Sequence, residues 1–311
     1  MKIGIFGGNG FVGSAIARKA VARGWKVVSF SRSGRPFATP AGHTPAWVEE
    51  VEWKRASVFD PRTYEADLPS CDALVSTLGI LFETEYKEQG QARPLSVLKA
   101  VVENATGSRG NPLAQNTDRS YERVNCDSAL ALYDAFHAAR SGTTRDASPF
   151  VYISAEDIFR PFVPRRYIST KRAAEKAIWE RSHANPAGPT IRPILMRPSL
   201  MYHPHLAPAS TLPATLFEAT SAVHRLVPES LHVLPSASAP RVPSDMVPPA
   251  YQSLAALMSV PPIHVDAVGA AVCQAIASPE VDGIVDVARM RHMLGFDRTD
   301  SGAAPEPEQP L

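Results

Sequence analysis

A glycine-rich turn at the start of the chain limits most strongly what it can fold into. The apolar run KIGIF at residues 2–6 leads directly into GGNGFVG, and apolar residues then recur at helical spacing. Gly7, Gly10 and Gly13 therefore lie between a predicted strand and a predicted helix. At such a junction one glycine permits a sharp turn, one lets a phosphate approach the backbone, and one lets the helix pack closely on the strand. The pattern predicts a dinucleotide-binding βαβ unit.

Strands and helices alternate along much of the remaining chain, which indicates parallel βαβ units. The prediction is an α/β fold with a doubly wound parallel sheet of the Rossmann type. Further strands are predicted at Trp25–Phe30, Val51–Val58, Ala73–Thr77, Phe150–Ser154 and Ile191–Met196, and helices at Tyr121–Arg140 and Arg165–Ser182.

The amino-acid composition of the chain changes near residue 198, after which proline is frequent. The 311 residues include 29 prolines, nearly twice the usual share of about 5%. We predict a Rossmann domain at 1–198 and a smaller, proline-rich lobe at 199–290 that covers the substrate and returns elements to the core. The domain carries a long insertion at 80–116 with a helix at Leu95–Asn104, and a disordered tail is predicted at 297–311.

The predicted lobe contains apolar residues and helical stretches that are relevant to the kind of substrate. Helices are predicted around Leu216–Leu226 and Tyr251–Val260. Side chains such as Leu216, Phe217 and Leu257 are compatible with a cover over an apolar ligand and equally with ordinary core packing.

Composition excludes several classes of function. The 32 basic and 31 acidic side chains give a formal charge of +1, so no basic field for nucleic acid is expected. No run approaches the roughly 18 apolar residues of a membrane-spanning helix, which leaves at most a peripheral association with membranes. The three cysteines are too scattered for a disulfide framework.

His203, His205 and His264 lack metal-ligand spacing, so we predict structural or substrate-lining roles for them and no metal site.

The end of the second strand bears on which dinucleotide is expected. Sites for NAD usually place an acidic residue there, where it accepts hydrogen bonds from the adenosine ribose. This chain has SRSGR at 31–35, and the Arg32 guanidinium is suited to pair with a 2′-phosphate. We predict NADP, although solvated arginines would leave the same sequence. The other predicted cofactor contacts are Phe11 and Val12 at the helix start, Asp60 after the third strand, and Ser76, Thr77, Leu78 and Gly79 after the fourth.

Tyr167 and Lys171 form a YxxxK pair one helical turn apart. A nearby ammonium favours the phenolate of a tyrosine, lowers its pKa from about 10, and so prepares an acid/base group. Ser154 ends the fifth strand, at the sheet edge where ligands bind, and its hydroxyl is suited to hold a substrate oxygen. We predict these three as the catalytic group, with Lys171 also contacting the cofactor. A surface tyrosine and lysine on an ordinary helix would leave the same spacing.

Three further polar residues border these elements. Asn125 lies on the helix before the fifth strand and is compatible with fixing Lys171 through a water and, nearly as well, with a place on the helix surface. Glu156 and Asp157 follow Ser154, where we favour a solvated loop pair over acid/base groups.

The chain resembles the extended and atypical short-chain dehydrogenase/reductases over roughly residues 1–290. The resemblance is carried by GGNGFVGSAIA, Ser154, YISTK and IHVDAVGAAV. The longer stretch GGNGFVGSAIARKAVARGWKVVSFSRSG, Tyr86-Lys87 and RRYISTKRAAEKAI are similar to a fungal mitochondrial subgroup. That subgroup includes a coenzyme Q biosynthesis protein, and the NADPH-holding accessory subunit of respiratory complex I is a relative.

The resemblance implies NADP(H) at the Gly7 turn, Tyr167 as acid/base group with Lys171 as its partner, and Ser154 as substrate holder. The subgroup implies a coenzyme Q biosynthetic complex on the matrix side of the mitochondrial inner membrane, and we expect a hydrophobic carbonyl or quinone-like substrate. No presequence is visible before the strand at Lys2. Two other expectations remain: a non-catalytic NADPH-binding assembly subunit, and an epimerase or dehydratase acting on a nucleotide sugar.

Overall fold

A seven-stranded parallel sheet is the centre of the protein. The computed structural model describes residues 1–80, 120–141, 147–158, 164–184, 190–207, 211–226, 243–244, 247 and 249–296. The strands of the sheet are β1 (Lys2–Phe6), β2 (Lys26–Ser31), β3 (Val51–Arg55), β4 (Ala73–Ser76), β5 (Ser148–Ile153), β6 (Ile191–Met196) and β9 (Gly283–Val285). Their order is β3-β2-β1-β4-β5-β6-β9, and all neighbours are parallel. A separate parallel pair joins β7 (Met201–Tyr202) and β8 (Ile263–His264).

Helices cover both faces of the sheet. The α- and π-helices of the described residues are α1 (Phe11–Ala22), a π-helix (Glu122–Asp127) that continues into α2 (Ser128–Arg140), α3 (Arg165–Ser182), α4 (Thr211–Leu226), α5 (Ala250–Ser259), α6 (Val265–Ala277) and α7 (Val287–Met293). No helix among these residues is both long and apolar enough to cross a bilayer.

Successive strand residues point to opposite faces, which builds two apolar layers. On one face Val75 packs in a cluster with residues of α1 and α6, and on the other Leu74 packs with residues of α2 and α3. Helix α6 lies very close to α1, because a Cβ on Gly269 would be 2.7 Å from the carbonyl oxygen of Ala15. The sheet is thus buried on both sides, and its carboxyl edge is left to build a site.

The predicted Rossmann sheet is confirmed, with differences at the ends of elements. The predicted bounds of β1, β6 and α3 coincide with the observed ones. Strand β3 ends at Arg55 instead of Val58, because the chain turns and the Asp60 amide donates to the Ser57 carbonyl at 2.9 Å.

The predicted helix Tyr121–Arg140 is not uniform, since its first turns are π-helical. Single π-helical turns within α-helices occur frequently at functional sites, where they interrupt the regular i to i−4 hydrogen bonds. The predicted insertion beyond residue 80, with Leu95–Asn104, and the predicted tail lie outside the described residues. Strand β9 pairs with β6, so residues 283–285 return to the sheet, while the division into two domains stays a prediction.

Candidate nucleotide and catalytic site

The glycine turn after β1 has no space for side chains. Gly7 adopts φ +88°, and a Cβ there would press on the Thr77 side chain. A Cβ on Gly13 would overlap the carbonyl oxygen of Gly7 and lie 2.7 Å from the Cα of Gly8. Beneath Gly8, the buried hydroxyl of Ser29 has no hydrogen-bond partner among the described residues. The backbone therefore forms a close cradle that only glycine permits, which fits the approach of a pyrophosphate.

The start of α1 faces this cradle without a cap. Gly10 is the N-cap residue in an extended conformation and supplies no side-chain hydrogen bond. The Ser14 amide donates to the Gly10 carbonyl at 2.9 Å, so the amides of Phe11, Val12 and Gly13 precede the first intrahelical bond. Amides in these positions, with the positive end of the helix dipole, suit a bound phosphate.

The loop after β2 places Arg32 at the surface beside the cradle. The Asn9 amide group in the glycine turn donates to the Ser33 hydroxyl at 3.3 Å, and the Ser31 hydroxyl accepts from the Gly34 amide at 3.1 Å. The loop is thereby tied to the cradle, while the Arg32 side chain is exposed. Its assignment to a 2′-phosphate stays a prediction.

The predicted adenine contact, Asp60, already has a partner. Its carboxylate accepts two hydrogen bonds from Arg62, at 2.8 and 3.2 Å, and this guanidinium lowers the pKa of the acid. The neighbouring Phe59 ring is 41% exposed and lies 4.2 Å from the guanidinium carbon of Arg123. This stacked pair was not predicted, since nothing in the sequence joins residues so far apart.

The carboxyl end of β4 meets Lys171. The Thr77 hydroxyl donates to the Phe6 carbonyl at 2.8 Å, whereas the buried Ser76 hydroxyl has no partner among the described residues. The Lys171 Nζ donates to the Leu78 carbonyl at 3.5 Å, and a Cβ on Gly79 would be 2.9 Å from that Nζ. The structure thus brings the predicted cofactor segment and the predicted catalytic lysine together.

Lys171 is buried against the ends of two strands. Its Nζ also donates to the Ile153 carbonyl at 2.9 Å and lies 4.7 Å from the centre of the Tyr152 ring. Burial lowers the pKa of Lys171 to about 7, Glu175 opposes this shift, and Arg172 adds to it. The lysine therefore changes charge near neutral pH.

Tyr167 lies one turn before Lys171 on α3 and is half-buried. Its ring meets Tyr121 edge to face, with 6.0 Å between ring centres. Burial raises the pKa of Tyr167 to about 12, and Arg172 opposes that shift. The direction is opposite to the one expected from the sequence, because the cost of desolvating a phenolate exceeds the help of nearby positive charge.

Ser154 is buried and faces an ion network that the sequence analysis missed. Its hydroxyl accepts from Arg172 at 3.4 Å, and Arg172 in turn donates to the fully buried Glu175 at 2.8 Å. Arg197, directly after β6, donates to the same carboxylate at 3.0 Å. The i, i+3 spacing of Arg172 and Glu175 was the one local signal; the contribution of Arg197 depends on the fold.

Asn125 is completely buried in the π-helix, so the alternative of a surface asparagine is wrong. Its side-chain oxygen accepts from the Ile80 amide at 2.9 Å, and its side-chain nitrogen donates to the Ile80 carbonyl at 3.4 Å. Its backbone carbonyl accepts from the Tyr152 hydroxyl at 2.6 Å. Asn125 therefore clamps the chain after β4, and its predicted water bridge to Lys171 stays a prediction.

Glu156 and Asp157 do not form the solvated loop pair that the sequence favoured. Asp157 is 5% exposed, and its amide donates to the Glu156 carboxylate at 3.3 Å. Burial raises the pKa of Glu156, against the opposing charges of Arg172 and Arg197. The correction follows from the way the loop after β5 turns inward over the ion network.

Two of the three predicted structural histidines come together in the folded chain. His203 and His264 lie 4.0 and 3.6 Å from the Asp266 carboxylate, with ligand atoms close enough for a metal ion to span. Sequence spacing did not reveal this set. However, Arg18 forms an ion pair with the same carboxylate, and the His203 Nδ1 already accepts two backbone amides, one of them from His205 at 3.1 Å. These contacts already engage the carboxylate and one ring nitrogen of the cluster.

Helix α5 contacts the loop after β5. Leu257 is 6% exposed and packs with Ile158 and Phe217, as the alternative of core packing required, whereas Leu216 is 62% exposed.

Comparison with known proteins gives a relative that covers about two thirds of the chain. The chain is 34% identical over 212 residues to MIOREX complex component 2 of Saccharomyces cerevisiae, a match that covers 66% of this chain and 74% of that protein. No protein-family model matches.

Solved structures share the architecture at low identity. MoeE5 in complex with UDP-glucose and NAD is 15% identical, covers 96% of this chain and 82% of its own, and has a TM-score of 0.51. Vestitone reductase from alfalfa (Medicago sativa) is 15% identical, with 92% and 76% covered and a TM-score of 0.51. With the yeast relative and this fold, the chain belongs to the extended and atypical short-chain dehydrogenase/reductases, as the sequence resemblance implied.

Proposed function

We propose that the protein is an NADP-dependent oxidoreductase of the short-chain dehydrogenase type that acts on a hydrophobic carbonyl or quinone-like substrate. The observation that carries this proposal is the cradle at Gly7 and Gly13, which excludes side chains, next to an uncapped start of α1. This arrangement suits a dinucleotide pyrophosphate. The similarly folded MoeE5, which was solved with NAD, supports the same use of the cradle here.

Arg32 supports NADP over NAD. No carboxylate occurs at residues 31–35, where NAD sites usually have an acidic residue. The exposed Arg32 stands on a loop tied to the cradle through Asn9 and Ser33, and a guanidinium is well matched to a phosphate. Phe11, Val12 and the segment Ser76–Gly79 complete the proposed cofactor contacts.

The bound nicotinamide would supply or accept a hydride. Tyr167 exchanges a proton with the substrate oxygen, and Lys171 provides positive charge beside the phenol and contacts the cofactor. Ser154 holds the substrate oxygen, and its hydroxyl oxygen can accept from Arg172 at the same time. Support for these roles comes from Lys171, which contacts the carbonyls of Leu78 and Ile153, and from Ser154, which directly follows β5.

The proposal includes a setting, namely ubiquinone biosynthesis in an assembly on the matrix side of the mitochondrial inner membrane. Its support is the sequence resemblance to the fungal mitochondrial subgroup and the 34% identity to a yeast protein named as a component of the MIOREX complex.

The test of cofactor choice is a pair of fluorescence titrations with NADPH and NADH. Arg32→Ala should weaken NADPH binding by about tenfold or more, since hydrogen bonds to charged groups contribute about 1.5–3 kcal/mol, and should leave NADH binding nearly unchanged. Arg35→Ala on the same loop is the matched control. Equal losses for both dinucleotides would refute the assignment to NADP.

A second candidate is a non-catalytic NADPH-binding subunit of a mitochondrial complex. The raised pKa of Tyr167 and the engagement of Ser154 by Arg172 favour it, as does a relative that belongs to a complex. Tyr167→Phe separates the two candidates in assays with quinone intermediates and carbonyl compounds. An enzyme should lose substrate-dependent oxidation of NADPH while retaining NADPH affinity; a chain without turnover before and after the change supports the assembly role.

A further inference from the structure

The ion network behind the proposed site is built around one carboxylate. Glu175 is fully buried and accepts from Arg172 at 2.8 Å and from the Nε of Arg197 at 3.0 and 3.2 Å. A second group of Arg197, Nη2, also donates to it. Both guanidinium side chains are at most 7% exposed. Loss of a shared carboxylate leaves buried positive charges unbalanced, which proteins tolerate poorly.

This network contacts Ser154 and the helix that carries Tyr167 and Lys171, which are the three residues of the proposed catalytic group. Arg172 follows Lys171 in α3 and donates to the Ser154 hydroxyl at 3.4 Å and to the Ala155 carbonyl at 3.0 Å. Arg197 directly follows β6, and its amide donates to the Val285 carbonyl at 2.8 Å. The carboxylate therefore ties α3 to the carboxyl ends of β5, β6 and β9.

The Glu175 carboxylate is the negative charge that favours the protonated form of Lys171. Within the described part of the chain, its Nζ contacts the carbonyls of Ile153 and Leu78 and the ring of Tyr152, all of them uncharged. The charged groups that act on it come from its own helix: Glu175, one turn onward, favours the ammonium, and Arg172 opposes it. Tyr152 from β5 and Tyr167 from α3 stay neutral, since burial raises the pKa of each.

We propose that Glu175 is a positioning residue for Lys171, because its carboxylate balances Arg172 and Arg197, ties α3 to the strand ends, and provides the counter-charge that keeps the lysine an ammonium beside the nucleotide. The inference rests on the proposed function, since it concerns the same lysine and the same cofactor. Glu175 acts through its neighbours and touches neither cofactor nor substrate in this assignment.

The test is NADPH affinity measured from pH 6 to pH 9 at constant ionic strength. NADPH is an anion, so a charged Lys171 favours binding, and affinity should fall as pH rises through the titration of the lysine. Glu175→Gln should move that fall to lower pH by about one unit, the order of effect that loss of a nearby opposite charge has on a pKa. Arg172→Gln should move it in the opposite direction.

Two further variants make the result specific. Glu175→Asp retains the charge and should keep the midpoint near that of the unchanged protein. Lys171→Met should remove the pH dependence that belongs to the lysine, and what remains then reports the phosphate of NADPH itself.

A network with a purely structural role would lower affinity in Glu175→Gln without moving the midpoint, and that result would overturn the inference. Should Glu175→Gln fail to fold, Arg172→Gln decides the question, because an unshifted midpoint there has the same meaning. A protein that binds no NADPH at any pH would overturn the proposed function together with the inference. NADPH binding with unmoved midpoints would overturn the inference alone.

Discussion

Gly13→Ala should destabilise the fold and the proposed nucleotide site together. The new methyl group would overlap the Gly7 carbonyl oxygen and lie 2.7 Å from the Gly7 carbonyl carbon and from the Gly8 Cα. All three atoms belong to the backbone, so a side-chain rotation cannot relieve the contact. Helix α1 must move away from the turn after β1.

The expected magnitude follows from two opposing effects. Overpacking of this kind costs about 1–3 kcal/mol, while alanine is favoured over glycine within a helix by about 1 kcal/mol. Because the overlap is with backbone atoms, we expect a cost in the upper part of that range and a net loss of about 1–2 kcal/mol. For a chain of this size such a loss lowers the thermal midpoint by roughly 1.5–3 °C. Circular dichroism on heating measures the midpoint, and fluorescence titration measures NADPH affinity, which should also fall.

Gly10→Ala is the matched control. Its methyl group would meet a single backbone atom, the Gly7 carbonyl oxygen at 3.1 Å, and Gly10 has an ordinary φ of −85°. Stability should fall less than in Gly13→Ala, by no more than the loss of a preferred N-cap residue, whereas NADPH affinity should fall because the methyl group lies where a phosphate approaches. Gly13→Ala with the midpoint of the unchanged protein would refute the reasoning about the cradle.

Three other outcomes are expected. Burial lowers the pKa of Lys171 to about 7, so between about pH 7 and pH 10 the lysine carries a proton in the unfolded chain that it lacks in the folded protein. The free energy of unfolding should therefore rise with pH in this range by up to about 1.4 kcal/mol per pH unit. Urea unfolding of Lys171→Met should show a flatter dependence on pH, and equal slopes for the two proteins would contradict this. Asn125→Ala should cost about 1–3 kcal/mol, since a partly buried backbone amide and carbonyl lose their partner. A thermal midpoint within a degree of the original would argue against the clamp. Alkylation by iodoacetamide at pH 8, followed by mass spectrometry, should modify the half-buried Cys126 before Cys71 and Cys273, whose pKa burial raises to about 11; prior modification of either buried thiol would contradict the packing.

The sequence alone determined the elements whose signals are local. Gly7 and Gly10 lie between β1 and α1, with Gly13 in the first turn of α1. Helix α3 runs over Arg165–Ser182, with Tyr167 and Lys171 one turn apart. Such features are readable because periodic side chains and glycine conformations depend on neighbours within a few residues.

Only the tertiary structure decided how distant segments share the carboxyl edge of the sheet. Asn125 is buried because Ile80 lies against it, and Glu175 balances Arg197 because β6 ends beside α3. Ser154 faces the network for the same reason. These contacts carry no sequence period, since they arise when the parallel strands bring their ends together, and local patterns do not encode which side chains then meet.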